Sequence, residues 1–227
     1  MNNKIKLAIT LTAGVIFFSA CNNGTATDKN GADTTTMSNM NSDTMDKKMD
    51  MGNTNSMNSG LMGSMNSMMD KMSSMQMSGD FDMDFANMMI EHHQGAIDMS
   101  EEELKSGKDE KMKTMAQKII TEQKEEQSKL KDFVKNHKIM KMDMGQHDQL
   151  SKEMTDMKAS MSSMQMTGNT DKDFATMMIP HHESAVKMFK DELSYGMNAQ
   201  LKQMAQKGIS DQTKEIDEFK SWMSANK

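Results

Sequence analysis

Two pairs of adjacent histidines are the residues in this sequence with the clearest capacity for chemistry. His92-His93 and His181-His182 hold four of the six histidines, and two methionines precede each pair at the same spacing. Imidazole and thioether ligands without a thiolate favour copper, above all Cu(I). The same ligands would also suit the soft ion Ag(I), and they would suit Cu(II) less well. The candidate metal ligands are His92, His93, His181, His182, Met88, Met89, Met99, Met177, Met178 and Met188.

A packing role for these histidines is the alternative to metal binding. On a helix, His92 shares a face with Met88 and Met99, and a histidine on an apolar face is more often a satisfied core residue than a ligand. The same pair recurs with the same methionine neighbours, which favours the metal. Zinc would prefer cysteine or more carboxylates, and calcium or magnesium would need a cage of oxygens that is not visible.

A second group of possible ligands lies between the two repeats, in a segment that we predict to be a loop. Spaced thioethers with one imidazole can wrap around a soft ion without a rigid scaffold. Because the chain contains 34 methionines, chance clustering is an alternative, and so is a role as an oxidant trap. These secondary candidates are Met140, Met142, Met144 and His147.

Polar residues on the apolar side of a later helical pattern could support the ligands. Buried polar groups need partners, and a carboxylate or amide could orient a ligating imidazole on the neighbouring helix. A position at the edge of the helix with access to solvent is the alternative. The residues concerned are Gln123, Glu126, Gln212 and Glu215.

A tandem repeat with a period of 89 residues organises these elements. Residues 61–138 align with 150–227 without a gap, and about 34 of the 78 aligned positions are identical. We therefore predict a first helical repeat over 61–138, a Met- and His-rich linker over 139–149 and a second helical repeat over 150–227.

Each repeat contains three amphipathic helical patterns. The first carries methionines at alternating spacings of four and three, which is typical of a helix with one apolar face. Short connections join the second and third patterns, so we expect antiparallel hairpins. The prediction is an all-α fold, a four-helix bundle built from two repeated hairpins with extra Met-rich helices. Pro180 lies inside one pattern and predicts a kink or a restart of that helix.

The amino terminus predicts export and lipid anchoring. Lys4 and Lys6 precede an apolar run over 7–18, which ends at Ser19-Ala20-Cys21. Residues 1–20 are typical of a lipoprotein signal peptide, with Cys21 as the lipidated residue; an ordinary signal peptide with an incidental cysteine is the alternative. Residues 21–60 lack branched aliphatic side chains and predict a disordered tether. The expected location is the bacterial cell envelope, facing the periplasm or cell surface.

Composition excludes several classes of protein. One proline and 4% aromatic residues argue against a fold of many short strands. One cysteine cannot form a disulfide framework within the chain or a zinc site of several thiolates. The net charge of -6 provides no basic surface for nucleic acid.

The histidine motifs resemble a known family. Residues 84–93, followed by Ala96 and Met99, and the equivalent residues from Asp173 to Met188 look like the signature of the family catalogued as domain of unknown function 305. The resemblance extends over 79–133 and 168–223. It implies a ferritin-like helical bundle that binds copper through methionine and histidine and contributes to copper tolerance.

The favoured function is a membrane-anchored, non-enzymatic copper-binding protein that buffers, sequesters or carries the metal. A copper efflux or carrier protein is a candidate partner, and the oligomeric state stays open. One rival function is a surface lipoprotein whose methionines only pack. Another is a di-iron ferritin-like oxidase, which would need Glu-x-x-His pairs that the two histidine motifs lack.

Overall fold

The protein is described by a computed structural model over residues 54–140 and 147–227, with side chains over 60–140 and 149–227. Within these ranges every regular element is an α-helix, three in each repeat, which confirms the predicted all-α fold. The helices are α1 (Thr54–Ser73), α2 (Phe81–Ser106), α3 (Glu110–Asn136), α4 (His147–Ser162), α5 (Thr170–Tyr195) and α6 (Ala199–Ala225).

Two helical hairpins form the centre of the molecule. Connections of three residues join α2 to α3 and α5 to α6, and the helices of each hairpin pack along their length. Helices α2 and α5 pack against each other, so the hairpins pair within one chain. Helix α1 lies on α2, and α4 lies on α5. The bundle of two repeated hairpins with additional Met-rich helices is thus confirmed.

The methionine stripe of α1 faces the core. Met65, Met68 and Met72 are buried, and Met75 is partly buried against the same core. Unbranched thioether side chains fill irregular spaces between helices, which explains how a core with few aromatic residues can pack closely. These methionines of α1 therefore act as packing residues.

Side-chain caps define where the hairpin helices begin. Asp80 and Asn169 precede α2 and α5, and Asp109 and Asn198 precede α3 and α6. Each side chain accepts a hydrogen bond from a backbone N–H in the first turn of its helix, which satisfies a donor that has no partner within the helix. Short polar residues at four equivalent positions thus fix the register of both hairpins.

Two aspartates, one in each repeat, join the two repeats. Oδ1 of Asp82 in α2 accepts hydrogen bonds from the backbone N–H groups of Met197 and Asn198, at the start of α6. Asp171 in α5 does the same for the N–H groups of residues 108 and 109, at the start of α3. Each repeat therefore caps a helix of the other repeat, and this exchange holds α2 and α5 in register.

Two buried glutamates lie beside these carboxylates. The pKa of Glu103 is raised from 4.5 to about 9, mainly by burial and also by the hydrogen bond and the negative charge of Asp171. The pKa of Glu192 is also raised to about 9, mainly by burial and also by the negative charge and the hydrogen bond of Asp82. Both glutamates therefore carry a proton at neutral pH.

Two helix starts and one predicted helix break differ from what the sequence predicts. Helix α1 begins at Thr54, inside the predicted tether, because a helix nucleated by its buried stripe extends through adjacent polar residues. Helix α4 begins at His147, inside the predicted loop. Helix α5 runs through Pro180 without a restart. Packing of α5 against α2, α4 and α6 compensates for the one hydrogen bond that proline cannot donate.

Several predictions fall outside the described residues. The signal peptide, the lipidated Cys21, most of the predicted tether, Met142 and Met144 are among them. Within the described ranges, no helix combines the length and the apolar character needed to cross a bilayer.

Candidate metal centre

The two histidine pairs meet where α2 crosses α5. All four side chains are completely buried. The rings of His92 and His181 contact each other, with centroids 3.8 Å apart and planes at 40°. The ring of His182 lies 5.9 Å from that of His181. Residues that are 89 positions apart in the sequence therefore form one cluster of imidazoles.

Contacts at Nε2 define the ring orientation of three of these imidazoles. Nε2 of His181 lies 3.1 Å from the carbonyl oxygen of His92, which can only accept, so this nitrogen carries the proton in the neutral ring. Nε2 of His93 lies 3.0 Å from Oε2 of Glu126. Nε2 of His182 lies 3.0 Å from Oε2 of Glu215, but the two groups are not aligned for a hydrogen bond. In the neutral ring of His181 the lone pair then resides on Nδ1.

The remaining ring nitrogens lack hydrogen-bond partners. Nδ1 of His93 and His181 and both nitrogens of His92 and His182 are buried without a hydrogen-bond partner among the described residues. Buried polar atoms almost always have a hydrogen-bond partner. Several buried ring nitrogens without one in a single cluster therefore indicate that the cluster needs a further partner. A metal ion is the partner that accepts an electron pair from a neutral imidazole.

The protonation state of the cluster suits a metal. Burial lowers the pKa of His92 and His181 well below 6.5, and the charges of neighbouring histidines lower it further. These two rings are therefore neutral at physiological pH. A neutral imidazole is the form that ligates a metal, so no proton has to be displaced before binding.

Six methionines flank the histidine pairs along α2 and α5. The six methionines that flank the histidine pairs are completely buried in the same core. Among the described residues, no three His, Cys, Asp or Glu side chains form a group that could hold a metal ion. A metal at this cluster would therefore need thioethers to complete its coordination, and sulfur with neutral nitrogen suits a soft ion. These methionines are Met88, Met89, Met99, Met177, Met178 and Met188.

Glu126 and Glu215 occupy the positions that the hypothesis of ligand support requires. Each lies on the second helix of its hairpin and contacts the second histidine of its own repeat. Burial raises the pKa of Glu215, but hydrogen bonds and charges of His182 and Lys118 outweigh burial and lower it to about 2. This group is therefore a carboxylate at any physiological pH and can orient the imidazole that it contacts.

The two glutamines behave differently from the glutamates. Gln123 and Gln212 are buried, but Oε1 of each has no hydrogen-bond partner among the described residues. The structure therefore brings the glutamates to the imidazoles and gives no such contact for the glutamines.

The secondary group of candidate ligands is only partly described. Met140 is exposed, and its backbone N–H donates to Oδ2 of Asp80. His147 is the first residue of α4. The structure does not bring this group to the buried cluster through any described contact.

Sequence reasoning missed the lysines next to the supporting glutamates. Nζ of Lys118 lies 3.0 Å from Oε1 of Glu215, and Lys207 lies 3.9 Å from Oε1 of Glu126. The two lysines are equivalent positions of the repeat, as are the two glutamates. An alignment of the two repeats would have pointed to these residues, because the two lysines are identical at equivalent positions, and so are the two glutamates.

The chain belongs to the family described as domain of unknown function (DUF305). The family model matches residues 24–134 and again 131–223, which shows the domain in tandem. The resemblance inferred from the histidine motifs is thereby confirmed. A comparison with curated proteins gives no match.

Two similar solved structures come from one protein. The chain is 28% identical to CopM in the Cu(II)-bound form, with 64% of this chain and 97% of that chain covered and a TM-score of 0.51. It is 27% identical to CopM in the Ag-bound form obtained by soaking, with 66% of this chain and 98% of that chain covered and a TM-score of 0.50. Both likenesses support the helical bundle.

Proposed function

We propose that this protein binds copper, in the Cu(I) state, at the cluster formed by the two histidine pairs and their flanking methionines. The observation that carries the proposal is the group of completely buried ring nitrogens without hydrogen-bond partners at the α2–α5 crossing. Support comes from the similar structures of CopM, which hold Cu(II) and silver. Silver is a soft monovalent ion like Cu(I), and thioethers select such ions.

The protein acts as a buffer or sequestering agent and has no enzymatic activity. Complete burial of the four imidazoles favours holding the metal over presenting it to a substrate. Neutral imidazoles and thioethers leave the positive charge of the ion uncompensated in the first coordination sphere. The carboxylates of Glu126 and Glu215, one step further out, supply the negative charge.

The protein works outside the cytoplasm, anchored by a lipid at Cys21. This part of the proposal rests on the basic and apolar residues before Cys21 and on the choice of ligand. Thiols oxidise readily in the envelope, whereas a thioether binds a soft ion without forming a disulfide. Copper tolerance, with an efflux or carrier protein as recipient, is the process in which such a protein would act.

The test is a competition titration of the anchor-free protein with a chromogenic Cu(I) chelator under reducing conditions. Replacement of His92, His93, His181 and His182 by glutamine should weaken binding by more than about 100-fold, because loss of an outer partner alone costs 10- to 100-fold. Circular dichroism checks that this variant keeps its helices.

Deletion of residues 22–53 is the matched control. It removes methionines before α1 and leaves all six described helices intact, so we expect the affinity for Cu(I) to stay close to that of the full protein. A full protein that binds Cu(I) no better than a scrambled Met-rich peptide would contradict the proposal. Loss of affinity in the deletion variant alone would place the site in the amino-terminal segment.

A further inference from the structure

A groove between α3 and α6 leads towards the buried cluster. It has a volume of about 790 Å³ and is lined along α3 by Glu126 and Phe133 and along α6 by Leu201, Met204 and Lys207. Both charged and apolar side chains line it. Its wall includes His137 at the end of α3 and Asn198 at the start of α6.

Glu126 connects this groove with the imidazoles. Its carboxylate lines the groove, and its Oε2 lies 3.0 Å from Nε2 of the completely buried His93. The equivalent Glu215 contacts His182 at the same distance but is more enclosed. The side chain of Glu126 is 12% exposed, and that of Glu215 is 4% exposed.

Equivalent lysines take different positions on the two sides. Lys118 lies 3.0 Å from Oε1 of Glu215 and covers it. Lys207, its counterpart, forms an ion pair with Asp211 and stays 3.9 Å from Glu126. The pseudo-symmetry of the repeat is therefore broken at the two glutamates, because one is closed by a lysine and the other faces the groove.

Exposed thioether residues lie near the part of the groove that His137 and Asn198 line. Met197 is 60% exposed and precedes Asn198, which lines the groove. Met140 is 53% exposed. Its backbone N–H and the ring of His137, another lining residue, contact the same carboxylate of Asp80. A soft ion would meet weak thioether ligands there before it enters the groove.

We propose that the α3–α6 groove is the route by which the metal reaches and leaves the buried imidazoles, and that the carboxylate of Glu126 attracts the ion to the inner end of this route. This inference rests on the proposed copper function. A carboxylate attracts a cation into the groove, but it is a hard ligand that does not retain a soft ion. Asp211 holds Lys207 in a long ion pair with Glu126, at 3.9 Å, whereas Lys118 lies 3.0 Å from Glu215 and covers it.

The test uses the Asp211→Asn variant of the full protein loaded with Cu(I). Without the negative charge of Asp211, Lys207 pairs with Glu126 and closes the groove. Release of Cu(I) to an excess of a chromogenic chelator is measured by stopped-flow absorbance. The rate of release should fall by about fivefold, which corresponds to the free energy of a strong surface ion pair. The equilibrium affinity should not change, because a barrier on the route slows entrance and exit equally.

Glu122→Gln is the matched control, because Glu122 is the counterpart of Asp211 and lies 3.7 Å from Lys118 on the closed side. It should leave the rate of release unchanged. Adding Lys118→Met to Asp211→Asn should restore fast release by opening the other approach.

The outcomes separate this inference from the proposed function. An Asp211→Asn variant that binds Cu(I) normally and releases it as fast as the unaltered protein would overturn the access route and leave copper binding intact. The same follows if Glu122→Gln slows release as much as Asp211→Asn does. Failure of the unaltered protein to bind Cu(I) would overturn both.

Discussion

His92 of α2 and His181 of α5 contact each other with ring centroids 3.8 Å apart, and Nε2 of His181 faces the carbonyl oxygen of His92. Each repeat thus supplies half of one cluster. Two separate motifs in the sequence become a single site, because α2 and α5 are neighbours at the centre of the bundle.

A shared site predicts that substitutions at these two histidines are not additive. His92→Gln and His181→Gln should each weaken Cu(I) binding by at least about tenfold, and the double variant should be little worse than either single variant, because groups that act on one site are coupled. Chelator competition measures all three affinities. His137→Gln, at a histidine that contacts Asp80 outside the cluster, should leave the affinity unchanged. Losses that add in the double variant would indicate two independent sites.

The carboxylates behind the imidazoles should also contribute to affinity. Glu126→Gln and Glu215→Gln remove the negative charge next to His93 and His182 and should each reduce Cu(I) affinity by about 10- to 100-fold. Glu125→Gln, one residue from Glu126 but on the exposed side of α3, is the control. Equal affinities for Glu126→Gln, Glu215→Gln and the unaltered protein would show that the glutamates serve packing alone.

The buried glutamates predict a decrease in stability as the pH rises. Glu103 and Glu192 keep their proton in the folded state up to about pH 9, whereas in the unfolded chain they lose it near pH 4.5. The folded state therefore binds more protons between these values, and the free energy of unfolding falls as the pH rises from about 4.5 towards 9.

Replacing both glutamates by glutamine should flatten this decrease. The amide stays neutral at every pH, so at pH 9 we expect Glu103→Gln with Glu192→Gln to be more stable than the unaltered protein by about 1–3 kcal/mol. Urea unfolding of the metal-free protein across the pH range measures the effect. Glu110→Gln is the control, because Glu110 is exposed at the start of α3. This variant should keep the original dependence of the free energy of unfolding on pH.

The glycines after α2 and α5 are required by the same glutamates. A Cβ atom at Gly107 would lie 2.0 Å from Oε1 of Glu103, and at Gly196 it would lie 2.1 Å from Oε1 of Glu192. Alanine at either position should destabilise the fold by about 1–3 kcal/mol through overpacking. Gly63→Ala is the control, because nothing lies within 4 Å of its added Cβ in α1. It should stabilise the protein by about 0.5–1 kcal/mol in thermal or urea unfolding.

Much of the fold follows from local pattern in the sequence. Apolar spacing of three and four residues depends on helix geometry alone, so the six helices could be predicted without knowledge of their neighbours. The short connections at 107–109 and 196–198 required antiparallel hairpins. Boundaries were harder, since the start of α1 at Thr54 and the continuation of α5 through Pro180 depend on packing.

The candidate site divides in the same way. Repetition of His92-His93 as His181-His182 indicated the candidate metal ligands, because imidazole and thioether side chains already limit which metals can bind. Contacts of Glu126 and Glu215 with these rings could be proposed from helix faces, but their distances depend on how the hairpins close.

The sequence by itself determined the helices, the tandem repeat and the types of ligand, since these depend on residue type and spacing along one chain. Only the tertiary structure decided that His92 meets His181, that Asp82 and Asp171 cap helices of the opposite repeat, and that Lys118 and Lys207 take different partners. Such contacts join residues far apart in sequence. They depend on the packing of α2 against α5, which buries the imidazoles and leaves several of their nitrogens without a hydrogen-bond partner.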